Sequence, residues 1–374
     1  MDPKIENLIE DDGIMRFTLV EVNVSIANAL RRTIISDINT TVFKTSPHEE
    51  NKSVFLINTT RLNNEILKQR LSCIPIYLNH LKIDNIENLK LEVNVENDSE
   101  EIKYVSTKDF KIIDMETEKQ FNEQTLKTIF PPWTAPNGTE HYIEFARLRP
   151  KISDTIPGEK LHFTCTFSES CAKENSMFNC VSACSYGFTP DVELQHLELD
   201  KKKREWREKG IPEEKLSLEE RNWYLLEGQR CVKENSFDFI IQTIGVYDNT
   251  ELIVLACDNL IKRLNTVKEN LEQNEELIKD SENTMQNCYD FILENEDYTI
   301  GKVIEYALYF NLFESEKILS FCGFKKTHPH NTFSIIRIAY FEQTTKEIVK
   351  QNLIECINFS ISIIKNIKTK FYRK

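Results

Sequence analysis

Phe17-Thr-Leu-Val-Glu-Val-Asn-Val-Ser-Ile-Ala-Asn-Ala-Leu-Arg-Arg-Thr-Ile-Ile-Ser-Asp-Ile38 passes from one backbone period to another within a few residues. From Met15 to Val22 the residues alternate, with Phe17 and Leu19 on one face, which predicts a strand. Asn23 or Ser25 then supplies a helix N-cap. Beyond it Ile26, Ala29, Leu30, Thr33, Ile34 and Ile38 recur at three- and four-residue spacing, so the helix has one apolar face. Arg31 and Arg32 fall at the edge of that face. Asp11-Asp12-Gly13 before the strand reads as a turn rather than a metal site, because catalytic magnesium needs several converging carboxylates.

A second block near the other end repeats the strand-to-helix pattern. Tyr289-Asp-Phe-Ile-Leu293 is a strand, and Asn295-Glu-Asp-Tyr-Thr-Ile-Gly-Lys-Val-Ile304 opens a helix with Ile300, Val303, Ile304, Ala307 and Leu308 on one face. Paired strands follow around Ile318 to Phe324 and Thr332 to Phe341, enclosing Phe321-Cys-Gly-Phe-Lys-Lys-Thr-His-Pro-His330. A closing helix carries Val349, Leu353, Ile357, Ile361, Ile364 and Ile367, and the basic run from Lys365 to Lys374 reads as a solvated terminus.

These two blocks resemble the two halves of the assembly platform of multisubunit DNA-dependent RNA polymerases. The first resembles the alpha-like third-largest subunit, whose hallmark is the Asn-Ala-Leu-Arg-Arg helix, here Asn28 to Arg32. Arg70-Leu71 and Ile74-Pro75-Ile76 match that family's second signature, a short helix with an Ile-Pro exit. The second block resembles the smaller alpha-like partner, with its acidic-aromatic-Thr-Leu/Ile-Gly turn and later Gly-aromatic-Lys and His-Pro. Both halves on one polypeptide is the arrangement of large cytoplasmic DNA viruses. Ala172-Lys-Glu-Asn-Ser-Met-Phe resembles the family's Gly-Lys-Glu-His-Ala segment, with Asn175 in place of the His.

The resemblance implies an α+β fold in which two alpha-subunit-like dimerisation modules are fused in one chain, with an inserted β-rich domain. On this reading residues 1–80 begin the first module, 81–235 form the insert with a charged helical extension, and 236–272 complete the module. Residues 273–287 are a polar, acidic linker and 288–374 the second, smaller module. The resemblance further implies a non-catalytic subunit that binds the two largest polymerase subunits and small accessory subunits. DNA and RNA are met only through the complex, and internal pairing of the modules replaces a heterodimer. Asn28, Leu30, Arg31, Arg32, Arg70, Lys173, Glu174, Ile304 and Leu308 are the implied interface residues. The implied location is the viral particle and host cytoplasm for a viral protein, or the nucleus for a cellular relative.

The middle of the chain is read from its residues. Leu89 to Val95 and Leu161 to Phe167 alternate as strands, with turns at Pro131-Pro132, Pro136-Asn-Gly138 and Pro157-Gly158. Residues 194–232 mix Lys201-Lys-Lys-Arg204 with Glu205, Glu208, Glu213, Glu214, Glu219 and Glu220, the pattern of surface helices anchored by Trp206 and Trp223. Ile253, Cys257, Leu260, Leu264, Val267 and Leu271 make a heptad seam, either against a partner or within one core.

Composition narrows the function classes. A formal charge of −13 over 374 residues argues against a broad phosphate-gripping surface. Nine glycines include no phosphate-cradling spacing, so no nucleotide cofactor is expected. The ten cysteines lack a paired-knuckle pattern, which gives an expectation of reduced thiols and no zinc. No apolar run approaches the ~20 residues of a membrane span, and the N-terminus lacks the form of a signal peptide. Two other function classes have weaker motifs: an interaction scaffold unrelated to transcription, and a thiol enzyme pairing Cys322 with His328.

Overall fold

The computed structural model describes residues 2–78, 85–153, 155–282 and 285–372. The chain forms two compact units. The first comprises residues 1–34, 183–242 and 253–374, and the second residues 35–182 and 243–252.

In chain order the first unit begins with strands β1 (Lys4–Asp11) and β2 (Ile14–Val20) and helix α1 (Val24–Ser36). The second unit then contributes β3 (Asn39–Val42), β4 (Ser53–Asn58), α2 (Asn64–Ser72), β5 (Leu89–Glu96), β6 (Lys103–Ser106) and β7 (Lys111–Asp114). It continues with α3 (Glu123–Ile129), β8 (Trp133–Thr134), β9 (Glu140–His141), β10 (Glu144–Leu148), β11 (Lys160–Thr166) and β12 (Ser168–Cys171). Strand β13 (Val181–Pro190) leads back to the first unit and its helices α4 (Val192–Glu208) and α5 (Glu213–Leu225), then β14 (Val232–Thr243). After α6 (Asn249–Gln273) come β15 (Ile278–Asp280), β16 (Cys288–Glu294), α7 (Tyr298–Leu308), β17 (Leu319–Lys325), β18 (Phe333–Tyr340) and α8 (Lys346–Tyr372).

The first unit holds two four-stranded sheets, ordered β1-β2-β14-β13 and β15-β16-β18-β17. The central strands β2, β14, β16 and β18 carry most of the buried side chains of these sheets. Phe17 on β2 lies opposite Phe239 on β14, and their rings stack at 5.1 Å. Phe371 from α8 meets the Phe17 ring edge-on at 5.2 Å. The second unit carries the sheet β4-β11-β5-β7. There the alternation of Leu89, Leu91, Val93 and Val95 with Leu161, Phe163 and Cys165 places every second side chain in one core. Phe43, Phe110, Phe130, Phe145 and Phe167 are among the other residues of that core.

Five features depart from the sequence reading. Strand β1 was not expected: its pattern is mostly polar, and a register shift between Glu6 and Ile9, with Asn7 in the left-handed region (φ 51°), breaks the alternation. The main segment of the compact second unit runs from Ile35 to Ser182, because β3 pairs with β12 and draws residues before position 81 into it. The charged helices α4 and α5 belong instead to the first unit. Residues 273–287 are more than a linker, since Ile278–Asp280 pairs with β16 and Leu277 and Ile278 are buried. The basic run from Lys365, read as a solvated terminus, continues α8 to Tyr372, with Lys365 and Lys370 exposed and Lys368 paired to Asp258. No helix among the described residues is long and apolar enough to cross a membrane.

Candidate subunit-assembly site

The site is built on α1. Asn23 fixes its start, its side-chain oxygen accepting from the Ser25 backbone N–H at 2.9 Å and the Ser25 hydroxyl at 2.8 Å. Ile26, Ala27, Ala29, Leu30, Thr33 and Ile34 then face inward and are buried. Asn28, Arg31 and Arg32 are half-buried at the rim. The two arginines have different partners. Arg31 donates from Nε and Nη2 to Asn28 Oδ1 at 3.1 and 2.9 Å, so the pair is a local unit on one turn. Arg32 reaches to the start of α7, where Nε donates to Thr299 Oγ1 and Nη2 to Asp297 Oδ2, both at 2.9 Å.

Asp297 is the hub of that contact. It is the N-cap of α7, accepting from the Thr299 N–H at 2.9 Å. Its Oδ1 also lies 3.9 Å from Arg263 of α6, whose guanidinium is paired with the neighbouring, nearly buried Glu296. Burial works against the charged form of Asp297. Hydrogen bonds from Thr299 and the nearby Arg32 and Arg263 outweigh it and hold the carboxyl below its ordinary range. A helix N-terminus favours such an anion. The first sequence block and the second are thus tied through one carboxylate.

Farther along, α6 and α8 run antiparallel. Lys350 Nζ donates to the Glu272 carbonyl at 3.0 Å, Lys268 Nζ to Asn358 Oδ1 at 3.1 Å, and Lys368 to Asp258. As numbering rises on α8 it falls on α6. Ile253, Cys257, Leu260, Leu264, Val267 and Leu271 are buried on one helix, and Val349, Leu353, Ile357, Ile361, Ile364 and Ile367 on the other. The helices have 25 and 27 residues, so each extends about 40 Å at about 1.5 Å per residue.

The hallmarks of the second block also meet. Gly301 is buried in α7, and a Cβ there would stand 2.0 Å from Cε2 of Phe324. Phe324 therefore packs on bare helix backbone. Its ring meets Tyr298 edge-on at 5.0 Å, and its N–H donates to Glu305 Oε1 at 3.0 Å. Between α1 and α7 lies a cleft of about 390 Å³. Asn28, Tyr186, Tyr306, Tyr309 and Cys322 are among the residues that line it. Past Leu308 the helix loosens into a π-helical stretch, Tyr309–Ser315, that carries one of these tyrosines.

The remaining expected site residues fall into two groups. Leu30, Ile304 and Leu308 are core residues of the first unit, each at most 1 % exposed. Arg70, Lys173 and Glu174 belong to the second unit. Arg70 Nε donates to the Phe145 carbonyl at 2.8 Å and Nη2 to that of Glu144 at 2.7 Å, holding α2 against β10. Glu174 accepts from the Ser170 hydroxyl at 2.5 Å and Lys44 at 3.3 Å, which lowers its pKa. The Lys173 N–H donates to the Ser36 carbonyl at 2.7 Å, and Asn175 caps a short 3-10 turn, Ser176–Phe178. In the sequence Asp297 is only the acidic residue of a turn motif, and Glu296 and Arg263 carry no mark, because nothing local joins Asp297 to Arg32 or Glu296 to Arg263.

The geometry does not favour thiol chemistry. Burial, followed by the charge of Glu305, pushes the Cys322 thiol up to about 11, whereas a nucleophilic cysteine needs a lowered pKa. His328 sits in an exposed turn with Nδ1 accepting from the His330 N–H at 3.2 Å. The cysteines are all free, and among the described residues no three His, Cys, Asp or Glu side chains are grouped to hold a metal.

Four-stranded sheets, a long helix pair and an arginine-bearing entry helix define a mixed α/β protein. The model of the RNA polymerase Rpb3/Rpb11 dimerisation domain matches residues 16–264, and the chain belongs to that family. One relative is a DNA-directed RNA polymerases I and III subunit rpac1 of Dictyostelium discoideum, 24 % identical over 298 residues, covering 72 % of this chain and 82 % of that one. A conjugation stage-specific protein of Tetrahymena thermophila is 22 % identical over 299 residues, covering 69 % and 91 % respectively. DNA-directed RNA polymerases IV and V subunit 3B of Arabidopsis thaliana is 43 % identical over 65 residues, 17 % of this chain and 18 % of the plant protein.

Proposed function

We propose that this chain is a non-catalytic assembly subunit of a multisubunit DNA-directed RNA polymerase, in which the third-largest subunit and its smaller alpha-like partner are fused. Family membership and two polymerase-subunit relatives support the role. The observation that carries the fusion is the contact of Arg32 with Asp297 and Thr299, which joins the Asn-Ala-Leu-Arg-Arg helix to the second block in one compact unit. The family match ends at residue 264, so the second module rests on its hallmarks and on the packing of α7 and α8.

On this reading the partners are the two largest polymerase subunits and small accessory subunits, with nucleic acid met only through the complex. The fused arrangement corresponds to a viral polymerase that works in the host cytoplasm and is carried in the particle. Asn28 and Arg31 form the outward-facing part of the site, while Arg32 serves the internal joint. Arg31→Glu tests the division. The variant keeps the Asp297 joint, so it should fold with an unchanged melting temperature yet capture the large subunits at least tenfold less well in co-expression, because a repelling charge at an interface is costly. Undiminished capture would remove Arg31 from the interface.

A further inference from the structure

The second unit has a cleft of about 600 Å³ whose rim carries Arg61, Arg70, Arg147 and Arg149. Arg70 is committed to the β10 carbonyls, but three more guanidiniums gathered beside it on a chain of net charge −13 need a reason. Among the described residues two carboxylates share the lining, Glu144 and Glu159. Both already serve a neighbour: Glu144 accepts from Arg147 Nε at 2.6 Å, and Glu159, 7 % exposed, pairs with Arg149 and accepts its backbone N–H at 2.7 Å. The lining thus carries a net charge of about +2, from four arginines less two glutamates.

The rim arises from a break in strand alternation. The register of β10 against β6 shifts between Glu144 and Ala146. Phe145, Ala146 and Leu148 are therefore buried while Arg147 and Arg149 both emerge. Arg147 also lies over the Tyr104 ring at 5.2 Å. The floor is apolar, formed by Leu62, Phe145 and Ala146, with Ile102 left 55 % exposed at the edge. Arg61 and the outer faces of Arg147 and Arg149 are open to solvent, the last two with side chains 63 % and 51 % exposed.

We infer that this arginine-rimmed cleft docks a short acidic segment of a partner protein that also bears an apolar side chain. Guanidinium matches carboxylate in a two-pronged geometry, and the exposed Ile102 and apolar floor take the aliphatic group. A nucleic-acid backbone fits less well. It has no apolar group for the floor, which would stay uncovered. The volume lies in the range of sites that enclose a few side chains.

The test is fluorescence anisotropy of the full chain with a labelled twelve-residue peptide of Asp, Glu and Leu, beside its Asn/Gln/Leu counterpart and a labelled twelve-nucleotide single-stranded DNA. The acidic peptide should bind at least tenfold more tightly than the other two, and more weakly as salt is raised. Arg61→Glu with Arg147→Glu should weaken it at least tenfold; both residues are exposed, and Arg147 gives up only its surface pair with Glu144 and its contact with Tyr104. Lys201→Glu with Lys202→Glu on α4 should leave it unchanged. If the reversed pair misfolds, Arg61→Gln with Arg147→Gln supplies the same comparison. Equal binding of the acidic and amide peptides, equal binding by the arginine variants, or tighter binding of DNA would overturn the inference.

Discussion

Replacing Gly301 by Ala sets two effects of known sign against each other. In an open helix interior the change would stabilise by about 1 kcal/mol, through reduced backbone entropy in the unfolded chain and better helix propensity. Here the new methyl carbon would fall 2.0 Å from Cε2 and 2.3 Å from Cδ2 of Phe324, far inside contact distance. The ring cannot yield easily, because Tyr298 packs against it and Glu305 holds its backbone. Overpacking of this kind costs about 1–3 kcal/mol, or more where relief is blocked. The clash should win, leaving Gly301→Ala less stable by about 1–2 kcal/mol. That corresponds to a melting temperature lower by roughly 2–8 °C. Phe324→Leu should relieve the clash, so the double variant should be at least ~1 kcal/mol more stable than the sum of single effects allows. Thermal and urea melts of the four proteins give the cycle. A Gly301→Ala protein as stable as the parent, or strictly additive effects, would show that α7 and β17 are not interlocked here.

Three further outcomes are expected. Arg32→Ala and Asp297→Asn should show a coupling of about 0.5–1 kcal/mol in a double-mutant cycle, the value of a half-exposed ion pair, and Arg31→Ala with Asp297→Asn should show none. The two-pronged bond from Arg337, at 2.7 Å to each oxygen, opposes burial and lowers the folded pKa of Asp290 below its ordinary value of 3.8. Its stabilisation is therefore full above the unfolded pKa and lost as pH falls through the folded one; Asp290→Asn should flatten the acid limb of stability below about pH 4, as read by urea melts across pH. Residues 1–274 and 275–374 co-expressed as separate chains should co-purify and co-migrate on sizing, since each fully buried Leu or Ile of the two long helices contributes about 1.5–3 kcal/mol before entropy; fragments that separate as compact soluble species would refute the pairing.

Local periodicity carried much of the first unit. The alternation of Met15 to Val22, the three-four spacing after Asn23, and the seams on α6 and α8 are short-range patterns, and all reappear as buried faces. What sequence could not convey is where those faces are tied. Arg32 and Asp297 are 265 positions apart, and a rim arginine looks the same whether it meets water, a partner subunit or a carboxylate of its own chain. Arg70 shows the same limit, because its two carbonyl partners on β10 have no side-chain signature. Irregular elements were also hidden: β1 lost its period at a bulge, and Ile278–Asp280 is too short to have one. The Gly301 hallmark was visible as a motif, but its reason, an aromatic ring seated on the helix backbone, is a tertiary fact.

The role in transcription is tested most directly by purifying the complex that a tagged copy of the full chain forms in its native setting and weighing it by native mass spectrometry, with RNA synthesis assayed on a DNA template. The expected result is one copy of the chain with one copy of each of two large polymerase subunits, smaller subunits besides, and template-dependent RNA synthesis by the assembly. A chain recovered alone, or in an assembly without those large subunits and without RNA synthesis, would contradict it.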